Sequence, residues 1–213
     1  MTGVTPGKIV CVGRNYVAHA RELGNDVPSV PMLFLKPPSA VIAHGEAIVL
    51  PPESGRVEYE AEIGVVLGRR IRRASPDEAL AAVHGFTCAN DVTARDLQKT
   101  DGQWGRAKGF DTFCPVGPCV TSAHALPDPQ QLALSLTVNG KTWQKASTAQ
   151  MIFPVAAIIE FVSAIVTLEP GDIISTGTPS GVGNTTGTYL KPGDQMEAAI
   201  ASIGVLRNHL VAE

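Results

Sequence analysis

The segment from residue 57 to residue 68 constrains the fold more than any other part of the chain. It reads VEYEAEIGVVLG, so an alternating acidic half leads directly into an apolar half. Side chains two apart on a strand share a face, which predicts that Glu58, Glu60 and Glu62 lie about 6.6 Å apart along one face. The apolar half is typical of a core strand. The acidic face is therefore predicted to point into a cleft.

Carboxylates this close repel one another unless water or a cation lies between them. An apolar strand over residues 86–90 leads to Asp91, which could join Glu60 and Glu62. Oxygen-only ligation favours Mg²⁺, Mn²⁺ or Ca²⁺ over zinc. Three such ligands leave three octahedral positions, and a 2-oxo acid could occupy two of them as a chelate. The same spacing also fits a solvated strand face with Asp91 in a turn, and spacing alone leaves both interpretations open.

The rest of the pattern predicts one mixed α/β, β-rich domain over residues 1–213. The 21 glycines and 16 prolines indicate many turns and short strands. A capping box at Ser75 and Glu78 predicts a helix that ends at Gly85, and Asn139-Gly140 predicts a hairpin turn. Further predicted elements are strands at 8–12, 32–35 and 47–50, a helix at 16–23 and a buried helix at 153–168.

Composition excludes several classes of protein. The net charge of −3 and the lack of a basic tract or basic-aromatic stripe argue against nucleic acid as a partner. The first residues show no signal-peptide pattern, and no apolar run is long enough to span a bilayer. The four cysteines form no CxxC pair, so free thiols in a reducing compartment are expected. These features predict a cytoplasmic protein without a membrane partner.

Two further groups of residues could do chemistry. His19 and Glu22 share a face of the helix at 16–23, where the carboxylate would orient the imidazole as a base for water. Glycines and prolines flank this helix, so residues 14–31 are predicted to form a mobile lid. Arg95 and Lys108 could bind a substrate carboxylate or an oxyanion. A surface His-Glu pair and ordinary surface cations are the alternatives.

Six segments, in this order, resemble the fumarylacetoacetate hydrolase family, and together they span nearly the whole chain. Any one of them is weak, but the ordered set is specific. They are VGRNY at 12–16, FLKP at 34–37, EAEIGVV at 60–66, NDVTARD at 90–96, KGFDTF at 108–113 and TGTPSGVG at 176–183.

The resemblance implies a rolled β-sheet fold around a central metal site, usually in a homodimer. It implies Mg²⁺ or Mn²⁺ on Glu60, Glu62 and Asp91, and it makes His19 and Glu22 a catalytic pair on a short lid helix. Arg95, Lys108 and Thr178 would then surround a small 2-oxo acid substrate. The size is that of the short members, such as acylpyruvate and fumarylpyruvate hydrolases and oxaloacetate decarboxylases.

The resulting hypothesis is metal-dependent hydrolysis of a C–C bond in a 2,4-dioxo acid, giving pyruvate and a carboxylic acid. His19 would activate water, and Lys108 would stabilise the developing negative charge. Oxaloacetate decarboxylation and isomerisation of a 2-hydroxymuconate-type diacid could use the same site. A non-catalytic metal-binding protein is the alternative of a different class. Four residues could read a distal carboxylate of the substrate: Arg14, Arg21, Gln98 and Arg106.

Overall fold

The computed structural model describes residues 6–126 and 128–213. The strands are β1 Ile9–Gly13, β2 Met32–Lys36, β3 Val41–Ile42, β4 Ala47–Leu50, β5 Val57–Glu58, β6 Ala61–Leu67, β7 Val83–Asn90, β8 Thr93–Ala94, β9 Cys114–Ser122, β10 Ala133–Val138, β11 Lys141–Ser147, β12 Ile173–Ser175, β13 Gln195–Ile200 and β14 Gly204–Ala212. The helices are α1 Val17–Glu22, α2 Pro76–Ala81, α3 Arg95–Asp101, α4 Gly105–Gly109, α5 Val155–Ile165 and α6 Gly183–Thr186.

The largest sheet has seven strands in the order β2-β1-β12-β6-β7-β9-β3, and it is rolled. Its two edge strands, β2 and β3, are joined by only four residues, 37–40. Five residue steps reach about 18 Å at most, whereas six strand spacings in a flat sheet come to about 29 Å. The edges must therefore curl toward each other. This confirms the predicted rolled, β-rich fold and brings the ends of distant strands together.

A second sheet packs against the first and closes the core. Its five strands run in the order β11-β10-β13-β14-β4. Apolar side chains of both sheets form one buried cluster, including Ile63 and Val65 from β6 and Leu136 from β10. All four cysteines are free thiols, as expected. Among the described residues, no helix is long and apolar enough to cross a membrane.

The acidic segment is not one continuous strand, and this corrects the prediction from its alternating pattern. β5 ends at Glu58 and pairs with β8, whereas β6 begins at Ala61 and pairs with β7 and β12. Tyr59 and Glu60 form the break between them. Because the segment changes partners there, Glu58 does not stack with Glu60 and Glu62 on one strand face.

Local signals were more reliable for turns and helix starts than for helix ends. Ser75 and Glu78 form the predicted capping box, and the hairpin turns at Asn139-Gly140 with both residues at positive φ. However, α2 ends at Ala81, because the chain enters β7 at Val83 instead of continuing to Gly85. The predicted buried helix at 153–168 is α5, which is shorter and has one exposed face.

Candidate metal centre and active site

Three carboxylates meet at one end of the central strands of the rolled sheet. Glu60 directly precedes β6, Glu62 is the second residue of β6, and Asp91 directly follows the neighbouring strand β7. The antiparallel pairing places Ala61 opposite Asn90, and the Asp91 N–H donates to the Glu60 carbonyl oxygen at 2.9 Å. One carboxylate oxygen from each residue lies within 4.8 Å of the others. The structure therefore brings together the predicted triad.

Two lysines hold the Asp91 carboxylate from both sides. Lys36 Nζ donates to Oδ1 at 2.5 Å, and Lys108 Nζ donates to Oδ2 at 2.5 Å. Lys108 Nζ also donates to Glu60 Oε2 at 2.8 Å. Lys108 was predicted at this site, whereas Lys36 was overlooked as a site residue. Both ammonium groups are almost completely buried, which is rare for lysine without such partners.

The electrostatic environment differs sharply among the three carboxylates. Burial, together with the charges of Asp91 and Glu60, raises the pKa of Glu62 to about 8. Burial also raises the pKa of Glu60, against the opposing charge of Lys108. Burial acts in the same direction on Asp91, but the adjacent lysines outweigh it and hold its pKa below the ordinary value. The Glu62 environment thus disfavours a third negative charge unless a cation compensates for it.

The donor set fits a hard divalent ion. All three groups offer oxygen, which Mg²⁺ and Mn²⁺ prefer, and burial together with the charges of Asp91 and Glu60 disfavours the ionised form of Glu62, which a cation would stabilise. Each carboxylate oxygen has two lone pairs, so an oxygen that accepts a lysine hydrogen bond can also ligate an ion. Glu62 Oε2 is fixed by the Ser175 hydroxyl at 2.6 Å and the Gly177 N–H at 2.7 Å. The triad could therefore hold such an ion without large rearrangement.

Helix α1 brings the predicted His-Glu pair to the same cavity. His19 is buried, and its Nδ1 lies 2.7 Å from Glu22 Oε1. Glu22 is itself anchored, because its Oε2 accepts from the Gly181 N–H and the Thr185 hydroxyl, both at 3.0 Å. Burial alone would raise the pKa of Glu22, but the hydrogen bonds from His19 and Gly181 hold it below the ordinary value. The contact with Glu22 fixes the imidazole ring of His19 through Nδ1, so the other ring nitrogen, Nε2, is available for proton exchange.

The start of the predicted lid segment is docked onto the body of the protein. Asn15 is completely buried, and its Nδ2 donates to the carbonyl oxygens of Thr176 at 2.8 Å and Phe153 at 3.1 Å. Tyr16 adds a single β-bridge to Met151. These contacts anchor the chain just before α1, whose His19 lines the cavity. Movement of residues 14–31 as a lid stays a prediction.

Arg95 was predicted to bind a substrate carboxylate or an oxyanion, but in the structure it contacts carboxylates of the protein itself. Its guanidinium group pairs with the carboxylates of Glu58 and Glu60 and donates to Gln98 Oε1. Glu58, which is completely buried, also accepts from the Asn184 N–H. Arg95 therefore connects Glu58, the last residue of β5, to Glu60 of the triad. Substrate contact by Arg95 and Gln98 stays a prediction.

One cavity joins most of the predicted site residues. It encloses about 60 Å³, room for roughly four to six water-sized groups. Asp91 lies outside its lining, because its oxygens are covered by the two lysines. The predicted residues that line the cavity are Arg14, His19, Glu60, Glu62, Arg95, Gln98, Lys108 and Thr178.

Two of the polar candidates, Thr178 and Arg106, bind other groups of the protein, and a third, Arg21, lies outside the cavity lining. The Thr178 hydroxyl donates to the Ala61 carbonyl oxygen at 3.0 Å and accepts from Gln144 at 2.8 Å, so it fixes the loop beside β6. Arg21 does not line the cavity. Arg106 also lies outside it and pairs with Asp101 at the surface, with Nη2 at 2.6 Å from Oδ1.

The expectation that the chain has no basic tract is wrong, because residues 69–73 read RRIRR. Four arginines, at 69, 70, 72 and 73, follow β6 and line a surface groove. Arg72 donates to the carbonyl oxygens of Ser163 and Ala164, both at 2.7 Å, at the end of α5. The run lies at the opposite end of β6 from the triad, so it belongs to a different surface.

Comparison with known proteins gives consistent results over nearly the whole chain. A family model described as fumarylacetoacetate (FAA) hydrolase C-terminal matches residues 8–211. The chain is 44% identical over 210 residues to the mitochondrial oxaloacetate tautomerase FAHD2A of Bos taurus, covering 97% of this chain and 67% of the relative.

Solved structures agree with this match. The 2-hydroxyhepta-2,4-diene-1,7-dioate isomerase of Mycobacterium marinum is similar with a TM-score of 0.89 and 42% identity, over 100% of this chain and 77% of that one. A fumarylacetoacetate hydrolase of Exiguobacterium antarcticum gives a TM-score of 0.91 and 38% identity, over 98% and 76%. These three similar proteins thus have three different activities.

Proposed function

The chain belongs to the fumarylacetoacetate hydrolase family, and from this premise we propose that it shifts a proton on a short 2-oxo dicarboxylic acid. The proposed reaction is a keto–enol tautomerisation or a double-bond isomerisation, with Mg²⁺ or Mn²⁺ as the cofactor. One observation carries the proposal: a single cavity is lined by Glu60 and Glu62 of the oxygen-only triad, by the oriented His19 and by Lys108, which also contacts the third carboxylate, Asp91.

The charges around the cavity favour an anionic substrate. Four carboxylates, including that of Glu58, face the three cationic side chains of Lys36, Lys108 and Arg95. With all four carboxylates ionised this set carries one excess negative charge, which the raised pKa of Glu62 opposes in the absence of a metal ion. A divalent ion on the triad would change the excess to one positive charge and would supply Lewis acidity toward the 2-oxo and carboxylate oxygens.

The protein's own groups then have distinct roles. His19, oriented by Glu22, takes the proton from the carbon next to the 2-oxo group and returns it to oxygen or to a second carbon. Lys108 stabilises the negative charge that develops on the 2-oxo oxygen. Burial opposes the charged ammonium group, but Asp91 and Glu60 outweigh this and raise the pKa of Lys108, so it remains a cation. It acts as an electrostatic stabiliser rather than as a base.

Hydrolysis of a 2,4-dioxo acid, the first hypothesis from the sequence, becomes the second candidate. The 2.7 Å contact between His19 and Glu22 supports it, because the same pair suits activation of a water molecule. Two observations favour the proton shift. The closed cavity is small, and two of the similar proteins are named a tautomerase and an isomerase.

The decisive experiment compares three substrates with Mg²⁺ or Mn²⁺ and with EDTA. Metal-dependent enol-to-keto conversion of oxaloacetate above the buffer rate, followed by ultraviolet absorbance, supports the proposal. Release of pyruvate from an acylpyruvate would favour hydrolysis, and CO₂ from oxaloacetate would favour decarboxylation. Absence of turnover for all of them, and for a 2-hydroxymuconate-type diacid, would contradict a catalytic role and leave the non-catalytic metal protein.

A histidine variant tests the proposed base. We expect His19→Asn to lower kcat by about 10²- to 10⁴-fold without changing Mg²⁺ affinity measured by calorimetry. His124→Asn, which changes an exposed histidine in the turn at 123–125, is the matched control and should retain full activity. Full activity of His19→Asn would refute the assignment of the base.

The homodimer, the cytoplasmic location and the absence of nucleic-acid and membrane partners also remain proposals. Sedimentation at several concentrations tests the dimer.

A further inference from the structure

Two aromatic side chains separate the triad cavity from a groove on the protein surface. The rings of Phe34 and Trp104 lie edge to face with centroids 5.1 Å apart, and both residues line the cavity. The same two residues also line an outer groove, together with Met32, Leu33, Gly102, Gln103 and Gly105. The barrier between the two spaces is therefore one pair of side chains thick.

The two halves of this aromatic barrier are held differently. Phe34 belongs to β2, and Lys108 Nζ lies 5.0 Å from its ring centroid, so the strand and the charged group fix the ring. Trp104 lies in the short connection between α3 and α4, between Gly102, which has φ +70°, and Gly105. A rotation of this connection would move Trp104 and leave Phe34 in place.

The tryptophan is seated against the strand that leads to the lid segment. A Cβ atom at Gly13, the last residue of β1, would lie 2.9 Å from Trp104 Cζ3, closer than real contacts allow. The absence of a side chain at position 13 thus makes room for the indole. At its other side, the Trp104 carbonyl oxygen accepts from the Lys108 N–H at 2.9 Å. This bond is the first main-chain hydrogen bond of α4, so the backbone of Trp104 is joined to the helix that carries Lys108.

We propose that Trp104 sets the length of the substrate. With the indole on Gly13, the cavity accepts only short 2-oxo dicarboxylates. With the indole displaced or removed, the cavity joins the outer groove, which takes the apolar distal part of a longer 2-oxo acid. Apolar Met32 and Leu33 on the groove wall suit such a group. This inference rests on the proposed function and extends it to substrate selection.

The first test measures selectivity. We expect Trp104→Ala to change the ratio of kcat/KM for a long-chain acylpyruvate over oxaloacetate by about tenfold or more toward the longer acid, the scale expected when a pocket wall changes by a few methylene groups. Trp143→Phe is the matched control, because Trp143 lies on β11 beneath Lys141 and outside the cavity. An unchanged ratio in Trp104→Ala would overturn the proposal.

A second measurement separates this inference from the catalytic assignment. Calorimetry with Mg²⁺ gives the affinities for oxalate and for a long-chain 2-oxo acid, and neither value requires turnover. Tighter binding of the long acid alone by Trp104→Ala supports the barrier even if the proposed reaction is wrong. Equal changes in affinity for oxalate and for the long-chain acid would refute the role of Trp104 as a barrier. If Trp104→Ala does not fold, Trp104→Leu serves the same purpose with a smaller loss of packing.

The chain's two tryptophans allow a direct optical test. In the Trp143→Phe protein, fluorescence reports on Trp104 alone. Long 2-oxo acids are expected to shift its emission toward that of an exposed indole, and oxalate is expected to leave it unchanged. An identical response to both ligands would contradict movement of the barrier.

Discussion

Replacing Glu62 with glutamine should stabilise the metal-free protein at pH 8. The side-chain amide oxygen of the new residue could still accept from the Ser175 hydroxyl and the Gly177 N–H, which both contact Glu62 Oε2. The substitution removes the negative charge that Glu60 and Asp91 oppose. The protein therefore loses repulsion while it keeps its local hydrogen bonds.

The size of the stabilisation expected for Glu62→Gln follows from the pKa of Glu62. Its rise from 4.5 to about 8 in the folded protein corresponds to at most about 5 kcal/mol, because each pKa unit is worth about 1.4 kcal/mol. Burial is the largest cause of the rise, followed by the charges of Asp91 and Glu60. Because the three carboxylates titrate as coupled sites, we expect roughly half of this energy, about 2–3 kcal/mol. Between pH 4.5 and 8 the unfolded chain releases the proton while the folded protein keeps it. Wild-type stability should therefore fall across this window as pH rises.

Urea denaturation in EDTA at pH 5 and pH 8 measures the effect. The variant should exceed the wild type by about 2–3 kcal/mol at pH 8 and by much less at pH 5, where Glu62 is already protonated. Mg²⁺ at 100 times its dissociation constant should stabilise only the wild type, by about 2.7 kcal/mol. Glu197→Gln, at an exposed ion pair, should change stability by less than about 1 kcal/mol at either pH. A variant less stable than the wild type at pH 8 in EDTA would refute the reasoning.

Two further substitutions test the supports of the site. Lys36→Met leaves Asp91 with one ammonium partner and is expected to lower the free energy of unfolding by about 3 kcal/mol, measured by urea denaturation in EDTA; an unchanged value would contradict the buried pair. Gly181→Ala places a Cβ atom 2.1 Å from the Trp143 carbonyl oxygen at φ +102°, so the loop must withdraw from Glu22. We expect at least about a tenfold loss of kcat with unchanged Mg²⁺ affinity by calorimetry, and full activity would contradict the role of this loop.

The parts of the site that the sequence predicted are those encoded by local pattern. Glu60 and Glu62 are two residues apart at the beginning of an apolar run, and Asp91 directly follows another apolar strand. Because β6 and β7 pair as antiparallel neighbours, the start of β6 and the end of β7 lie at the same edge of the sheet. The three carboxylates are therefore brought together there. His19 and Glu22 were predicted on equally local grounds, since residues three apart share a helix face.

The parts that sequence reasoning missed depend on which strands become neighbours. The alternation continues through Tyr59 and Glu60, so nothing in it marks the change of partner strand that directs Glu58 to Arg95. Lys36 ends an apolar strand at one sheet edge, where lysine is normally exposed. It reaches Asp91 only because the sheet rolls. Two signals were available: apolar Phe34-Leu35 runs straight into Lys36, and Lys36 belongs to the family-like segment FLKP at 34–37.

The hydrogen-bond partners of the triad indicate that a metal ion completes this site rather than organising it. Groups of the protein itself fix two of the ligands: Ser175 and Gly177 donate to Glu62, and two lysines donate to Asp91. In proteins whose site does not exist before metal binding, the binding energy is spent on folding. Here the ligands are already in position, so binding energy remains available to relieve the repulsion at Glu62. Burial and the charges of Asp91 and Glu60 raise the pKa of Glu62, and a cation on the triad would oppose both, so metal binding is expected to be coupled to loss of the proton from Glu62.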